Sequence, residues 1–209
     1  MTVFLKTFFE NEKSIFSHKP FYDKQRDWQR VASQVSTGGA IQNPFTFYYV
    51  QDGDWSSSHN YNYWNKNFTS AASVNNTATL KTVYDPSISG FALPRTAAFT
   101  NFTLSGSDTS NSGEFNVSGS FTNGWNFFTD GWKTGGTIFF EAFGFRDTAS
   151  ERPSGTGAVA YVPTNGYYWF SGAFSTSYAR TFGFGSSDYV FPQHYNYRSF
   201  GFVVRPALE

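Results

Sequence analysis

The chain has 209 residues, no cysteine, and 15 basic residues balanced by 15 acidic ones. Such a length supports one large domain, or one domain with a short appendage. The composition excludes a disulfide framework, thiolate metal sites and cysteine nucleophiles, and the neutral charge balance gives no reason to expect nucleic acid or an anionic membrane surface as partner.

Cohesion must therefore come from the core. Aromatic residues are 22% of the chain against 14% charged, and rings suit both cores and binding faces because each brings large contact area at modest entropy cost. No run of about 18 apolar residues occurs, so no membrane insertion is expected. The opening "MTVFLKTFFENEKSIF" lacks the basic and apolar regions of a signal peptide.

Residues 1–39 read as an N-terminal helical arm or linker. They hold four of the seven lysines, and "KQRDWQRVASQV" (24–35) places Trp28, Val31, Ala32 and Val35 at helical spacing. "STGG" (36–39) then reads as a helix stop. From residue 40 to 209 short apolar-aromatic runs are punctuated by Gly, Asn, Ser and Thr. The runs at 45–50, 113–121, 136–145, 158–162 and 199–205 predict strands, and the alternation Phe115, Val117, Gly119, Phe121 predicts sheets with one buried face. A short second helix is predicted near Pro94–Phe99. The long polar loops 52–63 and 105–114 are where function is expected. The fold class expected is α+β, mostly β, with short strands, long loops and one or two short helices.

Catalytic patterns are scarce. His18, His59 and His194 lack ligand spacing, so no metal site is expected. "DGD" (52–54) reads as a turn because no EF-hand pattern follows it. "GFGSSD" is not followed by the Lys-Ser/Thr of a phosphate loop, and no Gly-x-Ser-x-Gly elbow appears. Glu141 and Asp147 read as ordinary carboxylates rather than a glycosidase pair. The Asn-x-Ser/Thr triplets at Asn67, Asn75, Asn101 and Asn116 read as chance in a chain rich in these residues. No enzyme activity and no cofactor are expected.

Residues 166–206 pose a different question. Their flanks look like strand sequence, yet the middle looks drawn from a restricted alphabet of Phe, Tyr, Ser and Gly. Two groups of motifs bear on it. "AIQNPFTFYY…GDW" (40–55), "YWNKNF" (63–68) and "KTVYDPSISGFALP" (81–94) resemble a module of Bacteroidetes-type surface and phage-tail proteins, where a "YDPCPPGF.VP" signature precedes the C-terminal half of a C-type-lectin-like fold. Ser87 stands at the cysteine of that signature. The sugar-binding and calcium motifs of true lectins are missing. "GFRDTASERPSGTGAVAYVPTNGYYWFSG" (144–172) and "RSFGFVVRP" (198–206) are similar to the ends of variable proteins of diversity-generating retroelements, typified by phage tropism determinants.

The resemblance implies a C-type-lectin-like ligand-binding domain over 40–209, with a variable region at about 166–206. In that family reverse transcription is error-prone at template adenines, so Asn codons become random at two positions. Such codons reach Phe, Tyr, Ser, Gly, Asp, His and Arg, but never Lys, Glu, Gln, Met or Trp. Between residues 170 and 200 only Gln193 lies outside the reachable set. Residues 1–169 hold seven Lys, five Glu, five Gln, six Trp and one Met, a density that would put about four in a window of this size. Tyr, Ser, Gly, Asn and Asp also make antibody paratopes good general binders.

The resemblance thus implies a receptor-binding protein at the tip of a virion tail fibre, recognising a host-surface protein or glycan, with tail-fibre homotrimers adding avidity. The alternatives are a bacterial cell-surface or fimbrial adhesin with a fixed binding domain, and a polysaccharide depolymerase. The expected recognition face is Phe170, Phe174, Thr176, Tyr178, Arg180, Asp188, Tyr189, His194, Tyr195, Asn196, Tyr197 and Phe200. Phe182 and Phe184 are expected in the core, and Trp169, Gly201, Phe202, Val204 and Pro206 in the supporting scaffold.

Overall fold

The first described element is a strand where the spacing predicts a helix. The computed structural model describes residues 29–43, 45–151 and 155–208; residues 24–28 of the predicted helix lie outside them. Strand β1 (Gln29–Val31) pairs in parallel with β2 (Thr46–Tyr48), and Val35 bridges Ser56. The predicted helix spans only about three turns, a length that is marginal without tertiary support, and the sheet partners capture it. Ser36 starts a helix rather than ending one. It caps α1 (Thr37–Gln42), its Oγ accepting from Gly39 N at 3.1 Å, which satisfies one of the orphan amides of the first turn. The helix predicted near residues 94–99 is instead a set of turns leading into a 3₁₀ segment, Thr100–Phe102.

The remaining strands are short and paired in small sheets. β3 (Phe91–Ala92) pairs with a C-terminal strand at Ala207–Leu208. β4 (Val117–Ser118), β5 (Gly124–Phe128) and β6 (Thr137–Glu141) form one antiparallel sheet, and β7 (Phe145–Asp147) pairs with β8 (Ala158–Ala160). The protein is mostly β, as its composition and alternation predict. The predicted strand at 199–205 makes no ladder: Gly201 and Val203 form single bridges to Arg146 and Tyr168.

The restricted-alphabet segment supplies the longest strands. β9 (Asn165–Ala173), β10 (Tyr178–Gly185) and β11 (Val190–Tyr197) build an antiparallel sheet in the order β11-β10-β9. Both faces of its inner half are covered. On one face Tyr168, Phe170, Phe182 and Phe184 pack with Phe102, Phe115, Phe127 and Phe140. On the other, Trp169 packs with Leu93, Phe145, Phe200 and Phe202. Adjacent residues of a strand point to opposite faces, so Trp169 enters one core and Phe170 the other. Each fully buried ring contributes about 1.5–3 kcal/mol, and edge-to-face pairs such as Phe127–Phe182 at 5.3 Å add about 0.5–1.5 kcal/mol each.

Close approach is secured by glycine at two motif positions. A Cβ at Gly166 would meet the Phe184 ring, and Gly144 combines a φ of 63° with the carbonyl of Ala160 against its open side. Turns rely on buried polar side chains. In "YDPSISGF" the Asp85 carboxylate accepts from Ser87 N and Leu93 N at 2.8 and 3.0 Å, while Lys81 Nζ donates to the carbonyls of Ser87, Ile88 and Phe91. Asn116 is 1% exposed. Its amide donates to the carbonyls of Asn101 and Gly131 and its Oδ1 accepts from Lys133 N. This triplet asparagine is a structural staple.

Candidate ligand-binding face

The β9–β10 hairpin builds one end of the candidate face. Ser175 Oγ accepts from Ser177 N and Tyr178 N at 3.1 and 3.0 Å, a local turn that Ser favours, and it leaves Thr176 exposed at the tip. Across β10 and β11, Tyr178 faces Tyr197 and Arg180 faces Tyr195. Residues two apart share a face, so all four side chains project together.

These side chains pack against one another. The rings of Tyr178 and Tyr197 stack at 4.6 Å, and Phe174 stacks on Tyr195 at 4.2 Å. Tyr178 meets Tyr195 edge-on at 5.4 Å. Arg180 lays its guanidinium 4.5 Å from the Phe174 centroid and donates to the carbonyls of Ala72 and Gln193, both at 3.0 Å. The chain of rings continues along β11 through His194 and Phe191 to Tyr189, with spacings of 5.5, 5.0 and 4.5 Å. A continuous aromatic ridge results. Phe191 is a member that the sequence reading missed.

A bulge lets the ridge turn. Thr181 pairs with His194 and Gly183 with Phe191, so Pro192 and Gln193 together oppose Phe182. A bulge re-aims the side chains that flank it, and proline, lacking an N–H, fits such a position.

Of the twelve expected face residues four are placed elsewhere, and a fifth, Tyr189, ends the chain of rings without lying open. Phe170 is fully buried and Phe200 is 4% exposed, each in a core cluster, because the sheet is covered on both sides; neither can contact a ligand. Asn196 lies on the strand face opposite Tyr195 and Tyr197 and donates to buried Thr181 Oγ1 at 3.1 Å. Tyr189 is half-buried, its hydroxyl held by Asn165 and Tyr167 at 2.6 and 2.7 Å. Burial, and then Tyr167, push that hydroxyl above the ordinary tyrosine range. Asp188 is exposed in the β10–β11 turn, a full strand of about 25 Å from Thr176. Phe174, Thr176, Tyr178, Arg180, His194, Tyr195 and Tyr197 are brought together. Phe182 and Phe184 are core residues, as expected from the sequence.

Both long loops are anchored to this sheet. From the loop 105–114, Asp108 accepts from Gln193 N at 2.9 Å through Oδ1 and contacts His194 Nδ1 at 2.9 Å through Oδ2, while Thr109 bridges Val190. From the loop 52–63, buried Asp54 pairs with Arg198 at 3.1 Å and with His59 Nδ1 at 3.2 Å. Burial pushes the Asp54 carboxyl up, and Arg198 and hydrogen bonds from Ser56 and His59 pull it back. Arg198 also donates to the carbonyl of Asn60 at 2.6 Å. A small cleft is lined by the rings of Trp55, Tyr61, Tyr63 and Trp64 together with Ala173, Ala179 and Arg198.

The site offers ring surface, hydroxyls and carboxylates at fixed positions, which suits non-covalent recognition. Asp147 is fully buried and accepts from Ala149 N. Among the described residues no group of three or more His, Asp and Glu is placed to hold a metal ion, and no helix is long and apolar enough to cross a membrane. No family model, curated protein or solved structure matches the chain.

Proposed function

We propose that this chain is a non-catalytic receptor-binding protein of a phage tail fibre. On this reading it has a C-type-lectin-like fold and recognises a host-surface molecule through a face diversified by a retroelement. The supporting observation is how the restricted alphabet is distributed. Its interior rings, Phe170, Phe182 and Phe184, lie in the core, while Phe174, Tyr178, Tyr195 and Tyr197 form a ridge beside the exposed hairpin tip. A scaffold that keeps its buried rings can exchange the exposed ones without losing its fold. Tyr, Ser and Gly are the residues with which a changing face remains adhesive. Recognition is metal-independent, and a trimeric fibre would multiply weak single sites into avidity. Its place is the virion tail.

Sequencing this gene deeply across a clonal population tests the proposal. Substitutions confined to codons such as those of Phe174, Thr176, Tyr178, Tyr195 and Tyr197, with Phe182, Phe184 and residues 1–165 constant, are the expected result. A fixed ridge would remove the retroelement and leave an adhesin with an invariant binding domain.

A further inference from the structure

The ring geometry and the charges around the ridge restrict its partner, given the receptor-binding reading above. A sugar-stacking platform needs a ring whose face is open to the ligand. Here the rings are engaged with one another: Tyr195 with Phe174, Tyr178 and His194, and Tyr197 with Tyr178 and Phe200. What the ridge turns outward is a relief of ring edges and hydroxyls, rigid because each ring is braced by the next. Such a surface matches the shape of another protein better than the flat face of a pyranose.

Among the described residues, carboxylates outnumber the cations around it. Asp108 touches His194. Asp52 sits beside the end of β11, because its neighbour Gly53 accepts from Ser199 N at 3.1 Å, and Glu151 follows Ser150, whose N–H donates to Asp52 at 3.2 Å. The described cations that border the ridge are already committed. Arg180 covers Phe174 and donates to two carbonyls, while Arg198 is buried against Asp54. Three carboxylates thus border the ridge against Arg180, since the charge of Arg198 is matched by Asp54. A basic partner would find its charges met at the rim, with the aliphatic stems of its Lys and Arg side chains lying along the ring edges.

We infer that the ridge docks a protein surface rich in lysine and arginine, steered by Asp52, Glu151 and Asp108, and not a glycan. The test is an NMR titration of the full chain, with tyrosine rings labelled, using three probes: the peptide Ac-Lys-Arg-Lys-Arg-NH2, its glutamate counterpart, and chitotriose. The basic peptide is expected to shift Tyr195 and Tyr197. Asp52→Asn combined with Glu151→Gln should weaken that binding at least threefold, as should 0.3 M NaCl. Asn tolerates the left-handed φ of 55° at residue 52, so the variant keeps its loop. Three results would overturn the inference: ridge shifts with chitotriose but not with the basic peptide, equal binding by the carboxylate variant, or shifts spread evenly over the surface. A silent ridge with all three probes would also overturn it, and codon variation at the ridge would then leave the receptor-binding reading standing. A ridge that is both silent and fixed in sequence would remove both.

Discussion

Arg198 and Asp54 form an ion pair at 3.1 Å with side chains 6% and 0% exposed. The pair ties the end of β11 to the loop 52–63, alongside the backbone hydrogen bond from Ser199 N to the carbonyl of Gly53 at 3.1 Å. Two charges out of water are tolerated only because their remaining hydrogen-bonding capacity is met. Asp54 accepts from Ser56 N at 3.1 Å, and Arg198 donates to the carbonyls of Asn60 and Thr176. Removing one partner is worse than removing both. Asp54→Ala should cost about 3–5 kcal/mol, because it strands a buried guanidinium. Adding Arg198→Met should recover a substantial part. Denaturant unfolding of the single and double variants checks this; equal stability of the single variant and the parent would show that the pair is dispensable.

Ridge and core should respond differently to truncation although both are aromatic. Phe182 is fully buried and meets Phe99, Phe102, Phe127, Phe140 and Tyr168. Phe182→Ala should destabilise the protein by about 3–5 kcal/mol. Tyr195, 40% exposed, should cost no more than about 1 kcal/mol on replacement by Ala. Unfolding midpoints of the two variants compare them directly, and similar losses would contradict a face that can be exchanged at little expense to the fold.

The paired ridge hydroxyls have a titration signature. A hydrogen bond with Tyr178, then partial desolvation and the charges of Asp52 and Glu151, push the Tyr197 hydroxyl up to about 12. A tyrosine whose folded pKa lies above its ordinary value near 10 favours the folded state while neutral. That contribution is complete below pH 10 and is lost as the pH rises through 12. With ring-labelled tyrosine, the Tyr197 Cζ signal should remain phenol-like at pH 10.5, and Tyr178→Phe should let it titrate earlier. An unchanged Tyr197 titration in that variant would rule out the Tyr178 hydroxyl as the cause.

Some of this could be read from the chain. Punctuated apolar runs gave away the strands at 46–48, 137–141 and 158–160, and the contrast in alphabet marked out 170–200. Phe182 and Phe184 were recognisable as core. Other features were not legible. The 24–35 spacing fits a helix, but backbone pairing with β2 takes up residues 29–31. "STGG" reads as a helix stop, yet Ser36 caps the helix that follows it, which only the chain beyond it decides. Phe191, Asp108 and Asp54 carry no local mark of their roles, since their partners lie on other strands and loops.

The sequence by itself determined the class of the protein. It is mostly β, it is held by rings rather than disulfides, and it carries one segment of restricted composition. Period-two alternation and turn residues act over a few positions, so they can be read locally. Only the tertiary structure decided which rings are buried and which reach the surface. A sheet covered on both faces buries Trp169 and Phe170 alike, and across the bulge at Pro192–Gln193 the rings of Phe191 and His194 meet at 5.0 Å. An ion pair between Asp54 and Arg198 sets where loop and strand meet. Those outcomes depend on contacts between residues far apart in the chain, where no local pattern can act.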